Sequence, residues 1–236
     1  MATRQVLADL NAAAVAAGLS HTDIESVGGV DAAARVAAGE PFDLVFLALG
    51  ALQKLAAEGH VVAESVTPLM LSQVAVAVPA AAADADAADA DAGGSAPGGA
   101  AFADASGMQD ALRQAQRIGY STGPSGTALV AMIEQWGMTA EIGDRLVQAP
   151  PGVPVARLVA ERAVDLGFQQ LSELVGQSGI RILGVLPADC AIDTVFAGAV
   201  GAAAAEPAAA QQVLSFYASA AATPILTAHS FAIPAE

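Results

Sequence analysis

The sequence predicts an α/β protein, and three observations carry that prediction. Short apolar runs such as Leu44–Leu47 and Val74–Val78 read as strands buried on both faces. Between them lie Ala-rich stretches whose larger apolar residues recur at helical spacing. Gly18, Gly39, Gly59 and Gly137 then end those stretches, where a helix C-terminus favours a left-handed residue.

Taken in order, Thr3 to Ala17 is the first helix, with Val6, Leu7, Leu10 and Val15 roughly on one face. Thr22 to Val27 is a short strand candidate, and Gly28-Gly29-Val30-Asp31 turns into a helix over Ala32 to Ala38. The strand at Leu44–Leu47 leads to a helix that runs to Glu58, and Val74–Val78 is the next strand, ending at Pro79. From Ala80 to Ser106 the pattern gives way to low-complexity Ala, Asp, Gly and Pro, which reads as a solvated surface insertion. Its alternating aspartates lack the central Gly and closing Glu of a calcium loop. The alternation resumes with a helix over Gln109 to Gln116, a strand over Ile118 to Ser121 and a helix over Thr127 to Trp136. Pro154 to Glu161 is helical, Asp165–Phe168, Ile180–Leu186 and Thr194–Val200 are strands, and Glu206 to Ala220 is the last substantial helix. Strands alternating with helices argue for a parallel sheet.

Composition narrows the function classes. The 236 residues carry 9 basic against 24 acidic side chains, a formal net charge of −15. That excludes a nucleic-acid partner held by a basic field, and docking on an anionic membrane by a polybasic patch. One cysteine, Cys190, excludes an internal disulfide and any CxxC metal site. The charge-free stretches Ser65–Ala83 and Pro207–Ala235 are broken by polar residues and prolines, so no membrane insertion is expected. As written, the N-terminus lacks the apolar core of a secretory signal, which places the chain in the cytoplasm.

The most informative segment is Tyr120-Ser121-Thr122-Gly123-Pro124-Ser125-Gly126-Thr127, between a strand and a helix. Its glycines admit close backbone approach, and free N–H groups at a helix start attract anions. It has neither the Lys of a phosphate-binding P-loop nor dinucleotide spacing, and an ordinary capped turn would read the same way. Gly28-Gly29 is a second such turn, with Asp31 as an ordinary cap. Gln169, Gln170 and Ser172 follow a strand, at the end where open α/β sheets bind ligands. Arg4 stands in the first turn of a helix, where a cation opposes the dipole unless an anion is near. Catalytic signals are thin. His21, His60 and His229 sit in no metal-ligand spacing, and Cys190 beside Asp189 reads as a buried bystander thiol.

Five segments together resemble the type II periplasmic-binding-protein fold of the molybdate-binding kind. They are Gly39–Leu47, Ser72–Val78, Gly119–Thr127, Asp165–Leu174 and Leu183–Pro187. The resemblance implies two lobes, each with a parallel-type sheet and with a ligand cleft between them: 1–77 with 191–236, and 78–190 including the insertion 80–106. It implies a solute-binding protein that clasps a small anion, an oxyanion such as molybdate or a small carboxylate. Arg4, Gly28, Gly29, Ser121, Thr122, Ser125, Gly126, Thr127, Gln169 and Gln170 would be the ligand-binding residues. The pair Gln169-Gln170 stands where a molybdate binder would have a Tyr, which leans toward a carboxylate. An ABC permease is the implied partner, with no metal, no cofactor and a monomeric state expected. Some relatives are isomerases of small unsaturated polycarboxylates such as aconitate. That alternative would need a base, for which Glu173 is the candidate. Members of this family open on a central strand, and from Met1 this chain starts in the following turn and helix. The expectation is therefore a start further upstream, and if the true start lies there, a signal peptide could lie there too and the location would be periplasmic. Mass spectrometry of the native N-terminus tests it, and a native chain beginning at Met1 would refute it.

Overall fold

A computed structural model describes residues 3–81, 99–150 and 152–234. Residues 82–98 of the expected insertion lie outside the described residues. The elements in chain order are α1 (Arg4–Ala16), α2 (Gly29–Ala37), β1 (Leu44–Ala48), α3 (Leu49–Ala57), β2 (Thr67–Pro79), α4 (Ala105–Gln114), β3 (Ile118–Tyr120), α5 (Pro124–Gln135), α6 (Thr139–Ile142), β4 (Leu146–Gln148), α7 (Val155–Ala160), β5 (Leu166–Gln170), α8 (Leu171–Leu174), β6 (Ile180–Val185), β7 (Asp193–Val200), α9 (Pro207–Tyr217) and α10 (Thr223–Ala228). The chain divides into two compact units, Met1–Ser72 with Thr194–Glu236, and Gln73–Asp193. It passes from one to the other within β2 and again at the start of β7.

In the first unit β1 and β7 pair antiparallel, from Leu44 opposite Val200 to Ala48 opposite Phe196. Their side chains feed two cores, as a strand buried on both faces must. Leu44, Phe46, Phe196 and Val200 pack with α1, α9 and α10, where Phe46 stacks on Tyr217 at 5.7 Å between ring centroids. Val45, Leu47, Ala197 and Ala199 pack with α2 and α3. No strand forms over Thr22–Val27. The buried Asn11 amide instead takes the backbone of Thr22, donating to its carbonyl at 2.8 Å and accepting from its N–H at 2.9 Å. Those two bonds replace a strand neighbour.

In the second unit the sheet is mixed, not parallel as the alternation predicts. β2 pairs antiparallel with both β5 and β6, while β3 pairs parallel with β5 and β4. The antiparallel pairs need no crossover helix, which the sequence could not reveal, because apolar runs read alike in either direction. One face packs on α4 and α5 through Val76, Leu129, Ile133 and Phe168. On the other face, α7 lies close against the strands. A Cβ on Gly167 would collide with Val159, so glycine admits the helix. Residues 99–106 join this unit despite their composition. The N–H of Val185 donates to Gly99 (2.8 Å), the N–H of Ala101 donates to Val185 (2.7 Å), and the Asp104 carboxylate accepts from the N–H of Gly107 (2.9 Å). The cap of α4 thus lies inside the compositional run, and so the helix begins four residues earlier than its apolar spacing suggests.

Candidate functional site: a helix start at the carboxyl edge of the second unit

The parallel strands β3, β4 and β5 end together. Tyr120 pairs with Phe168 on one side and Gln148 on the other. Beyond β3 the chain turns through Ser121, Thr122 and Gly123 into α5, with Pro124 in its first turn, where a missing N–H costs nothing. The hydroxyls of Ser121 and Ser125 lie 3.1 Å apart. One donates to the other, so one hydroxyl proton of the pair remains free for a third group. A Cβ on Gly126 would collide with the Ser121 carbonyl oxygen, so the turn can close only over glycine. The N–H groups of Ser125 and Gly126 donate to no described residue, whereas that of Thr127 closes the turn onto Gly123 at 3.1 Å. Ser121, Gly123 and Ser125 are half-buried and Gly126 is buried, while Thr122, Pro124 and Thr127 are exposed. The first turn of α5 holds no acidic side chain and its last turn no basic one. This twelve-residue helix therefore brings no acidic side chain of its own first turn to its positive end.

Ser121 and Gln169, each one residue past the paired Tyr120 and Phe168, leave neighbouring strands side by side. Gln169 is buried, at 5% exposure, and both ends of its amide are engaged. Its Oε1 accepts from the N–H of Ala156 in the first turn of α7 (3.1 Å), and its Nε2 donates to Oε2 of Glu173 (2.6 Å). Gln170 is half-buried and precedes α8, opposite Val74 on β2. The hydroxyl of Ser172 is buried and hydrogen-bonds to no described residue. The structure thus gathers Ser121, Thr122, Ser125, Gly126, Thr127, Gln169 and Gln170 at one edge of one sheet, with Glu173 bonded to Gln169 on the α7 side.

The remaining candidates belong to the first unit. Gly28 caps α2 and Gly29 opens it, next to the end of β1, where a Cβ on Gly29 would lie 3.8 Å from Leu47. Asp31 occupies the first turn of α2, its carboxylate 3.3 Å from where a Cβ on Gly28 would stand, so this helix start already has an anion of its own. Arg4 is exposed at the start of α1 and pairs with no acid among the described residues. The start of α3 at Leu49-Gly50 also follows the end of β1, and the sequence reading passed over it. Gly50 directly after the apolar run was the available signal.

Cys190 is buried with its Sγ 3.7 Å from the Met108 sulfur, and burial together with Asp189 pushes its thiol up to about 11. His229 bonds Asp9 at 2.7 Å and His21 lies 3.3 Å from the Asn11 amide. Among the described residues no three metal-ligating side chains cluster, and no helix is long and apolar enough to cross a membrane.

Three comparisons bear on this geometry. The profile of a family described as bacterial extracellular solute-binding protein matches residues 1–232. An aconitate isomerase from a Pseudomonas species is 30% identical over 185 residues, 78% of this chain, and the chain spans only 65% of that relative's length. Among solved structures, the fold is similar to a molybdenum ABC transporter's substrate-binding domain from Clostridium difficile, with a TM-score of 0.78 at 16% identity, covering 99% of this chain and 96% of that one. It is also similar to the periplasmic molybdate-binding protein of Azotobacter vinelandii, with a TM-score of 0.66 at 22% identity and the same coverage. At such identities these two likenesses speak for the type II periplasmic-binding-protein fold alone.

Proposed function

The chain belongs to the bacterial extracellular solute-binding protein family, and from that premise we propose that its solute is a small anion held at the start of α5. The observation that carries this reading is the pair of free N–H groups on Ser125 and Gly126, beside two hydroxyls and with no acid in the turn. Charge-assisted bonds from such donors are the strong ones, and the helix dipole adds to them. A net charge of −15 does not oppose this, since the donors within reach decide the local field. Thermal denaturation with molybdate, tungstate, sulfate, citrate and the aconitates tests the proposal. A ligand at a hundred times its Kd stabilises by about 2.7 kcal/mol. No stabilisation by any of them would refute it.

The family premise also supports an extracytoplasmic location and delivery of the solute to an ABC permease. Cell fractionation tests the first, and co-purification with membrane components in the presence of the bound anion tests the second.

The relative at 30% identity supports a second reading, an isomerase of small unsaturated polycarboxylates. A base would take a proton from one allylic carbon, the double bond would shift, and the proton would return to the other end. Glu173, half-buried and held by Gln169, is the carboxylate at this edge that could serve. NMR of aconitate in deuterated buffer separates the readings, because a binder leaves both the isomer ratio and the proton signals unchanged.

A further inference from the structure

β1 is packed like an interior strand but paired like an edge strand. Leu44 and Phe46 face the core under α1, α9 and α10, while Val45 and Leu47 face the core under α2 and α3. Its only strand partner among the described residues is β7. Gly201 donates its N–H to the Asp43 carbonyl at 3.0 Å. Val200, opposite Leu44, instead turns its N–H to the Ser65 hydroxyl and its carbonyl to the N–H of Val62. By the alternation of an antiparallel ladder, Val45 and Leu47 bond β7, and Leu44 and Phe46 aim their N–H and C=O groups at the other side. No described residue answers them there. Leu44–Ala48 also carries no charge and no proline, devices that blunt an exposed edge.

The stretch Thr22–Val27 runs in the same direction as β1. Its Glu25 is held by Arg35, which lies over Phe42 just before β1, and the chain then reaches Gly29, beside Leu47 near the strand's end. Ile24 packs on the core of Leu44 and Phe46, yet residues 23–27 make no backbone-to-backbone hydrogen bond with other described residues. α1 and α2 pack on opposite faces of β1. Crossovers between parallel strands are right-handed, so helices on opposite faces must cross in opposite directions along the sheet. α2 crosses from Thr22–Val27 to β1. α1, which leads into Thr22–Val27, must therefore arrive from the β1 side.

We infer that the free edge of β1 seats a further strand, parallel to it and standing between Leu44–Ala48 and Thr22–Val27. Its occupant is polypeptide of the native chain preceding Met1, joined to α1 by a short turn before Arg4. Only a strand continuous with α1 satisfies the crossover rule, and a second copy paired at the same edge would not. A segment matching the five residues of β1 is needed, apolar on both faces and free of proline, as a strand buried like β1 requires. The inference is independent of the anion reading. It sets the turn before Arg4 beside Gly28-Gly29 and Leu49-Gly50, at the carboxyl end of parallel strands, where α/β sheets bind ligands.

Amide hydrogen exchange read by NMR tests this, on the 236-residue chain and on the chain extended by the codons upstream of Met1. Val45 and Leu47, bonded to β7, should be protected in both. Leu44 and Phe46 should exchange freely in the 236-residue chain and at least about 100-fold more slowly in the extended one. Nuclear Overhauser contacts from the Phe46 N–H to an upstream residue are expected in the extended chain. They decide the matter even if the shorter chain does not fold. Equal exchange of Leu44 and Phe46 in the two chains would overturn the inference, as would contacts from Phe46 to residues 22–27 or an in-frame stop codon directly before Met1. Protection in the shorter chain that rises with protein concentration would also overturn it, by giving the edge to a second copy.

Discussion

Two helices of this protein begin at glycines beside the end of a strand, and they meet the exposed N–H groups of their first turns differently. α2 carries Asp31 in its first turn and Arg35 in its last, so its dipole is answered at both ends by its own side chains. α5 carries neither, and offers instead two serine hydroxyls 3.1 Å apart and the N–H groups of Ser125 and Gly126. In sequence the two turns look alike. The difference shows that two glycine-flanked helix starts of similar sequence can differ in whether the helix brings its own carboxylate to its first turn.

The sharpest way to break this contrast is to add one methyl group at each start. Gly126→Ala would drive a Cβ into the Ser121 carbonyl, which is backbone and cannot swing aside. A loss of about 1–3 kcal/mol in urea denaturation is expected, together with loss of anion binding. At Gly28 the same methyl meets only the Asp31 carboxylate, 3.3 Å away, at a φ of −61° that any residue adopts. A cost of about 0.5 kcal/mol is expected there, the difference between Gly and Ala at an N-cap. Equal costs at the two positions would erase the distinction. Next in size, Asp31→Asn should destabilise the protein by about 0.3–1 kcal/mol at low salt, and by less at high salt.

Further from the site the effects shrink. The Cys190 thiol, pushed up to about 11, stays protonated in the folded protein at pH 8.5. Iodoacetamide should therefore label it only after unfolding, and rapid labelling of the native protein would contradict its burial. The sign for stability follows: above the ordinary thiol value the unfolded chain ionises first, so stability falls as pH rises toward 11. Smallest is the surface cluster in which Arg35 holds Glu25 and Glu40, each at 2.7 Å, and lies over the Phe42 ring. Hydrogen bonds from Arg35 keep both carboxyls below their usual range. Their contribution is present above the ordinary carboxylate value and is lost as pH falls through the lowered ones. Salt should flatten that slope in urea titrations, and Arg35→Gln should abolish it.

Most of the fold was legible because burial on both faces leaves continuous apolar runs. Leu44–Leu47 is such a run, and its residues do alternate between two cores. Strand direction was not legible, because β2 would read the same whether it ran parallel or antiparallel to β5. The start of α4 was hidden for a different reason: Asp104, its cap, looks like one more aspartate of a low-complexity run. At the site, Ser121 to Thr127 could be singled out from glycine spacing alone. What the spacing could not show is that Thr127 spends its N–H on Gly123, that Gln169 is sealed between Ala156 and Glu173, or that Asp31 lies over Gly28. Those are facts of side-chain direction, which a one-dimensional pattern does not carry.

The central claim is that the start of α5 binds a small anion, and titration of the wild type and Ser125→Ala with citrate and molybdate tests it most directly. Ser125 is half-buried and its hydroxyl bonds only that of Ser121, so the variant should melt with the wild type. Measurable binding of at least one of the two anions by the wild type is expected, weakened about tenfold or more by the loss of that hydroxyl. Unchanged affinity in a folded Ser125→Ala protein would contradict it.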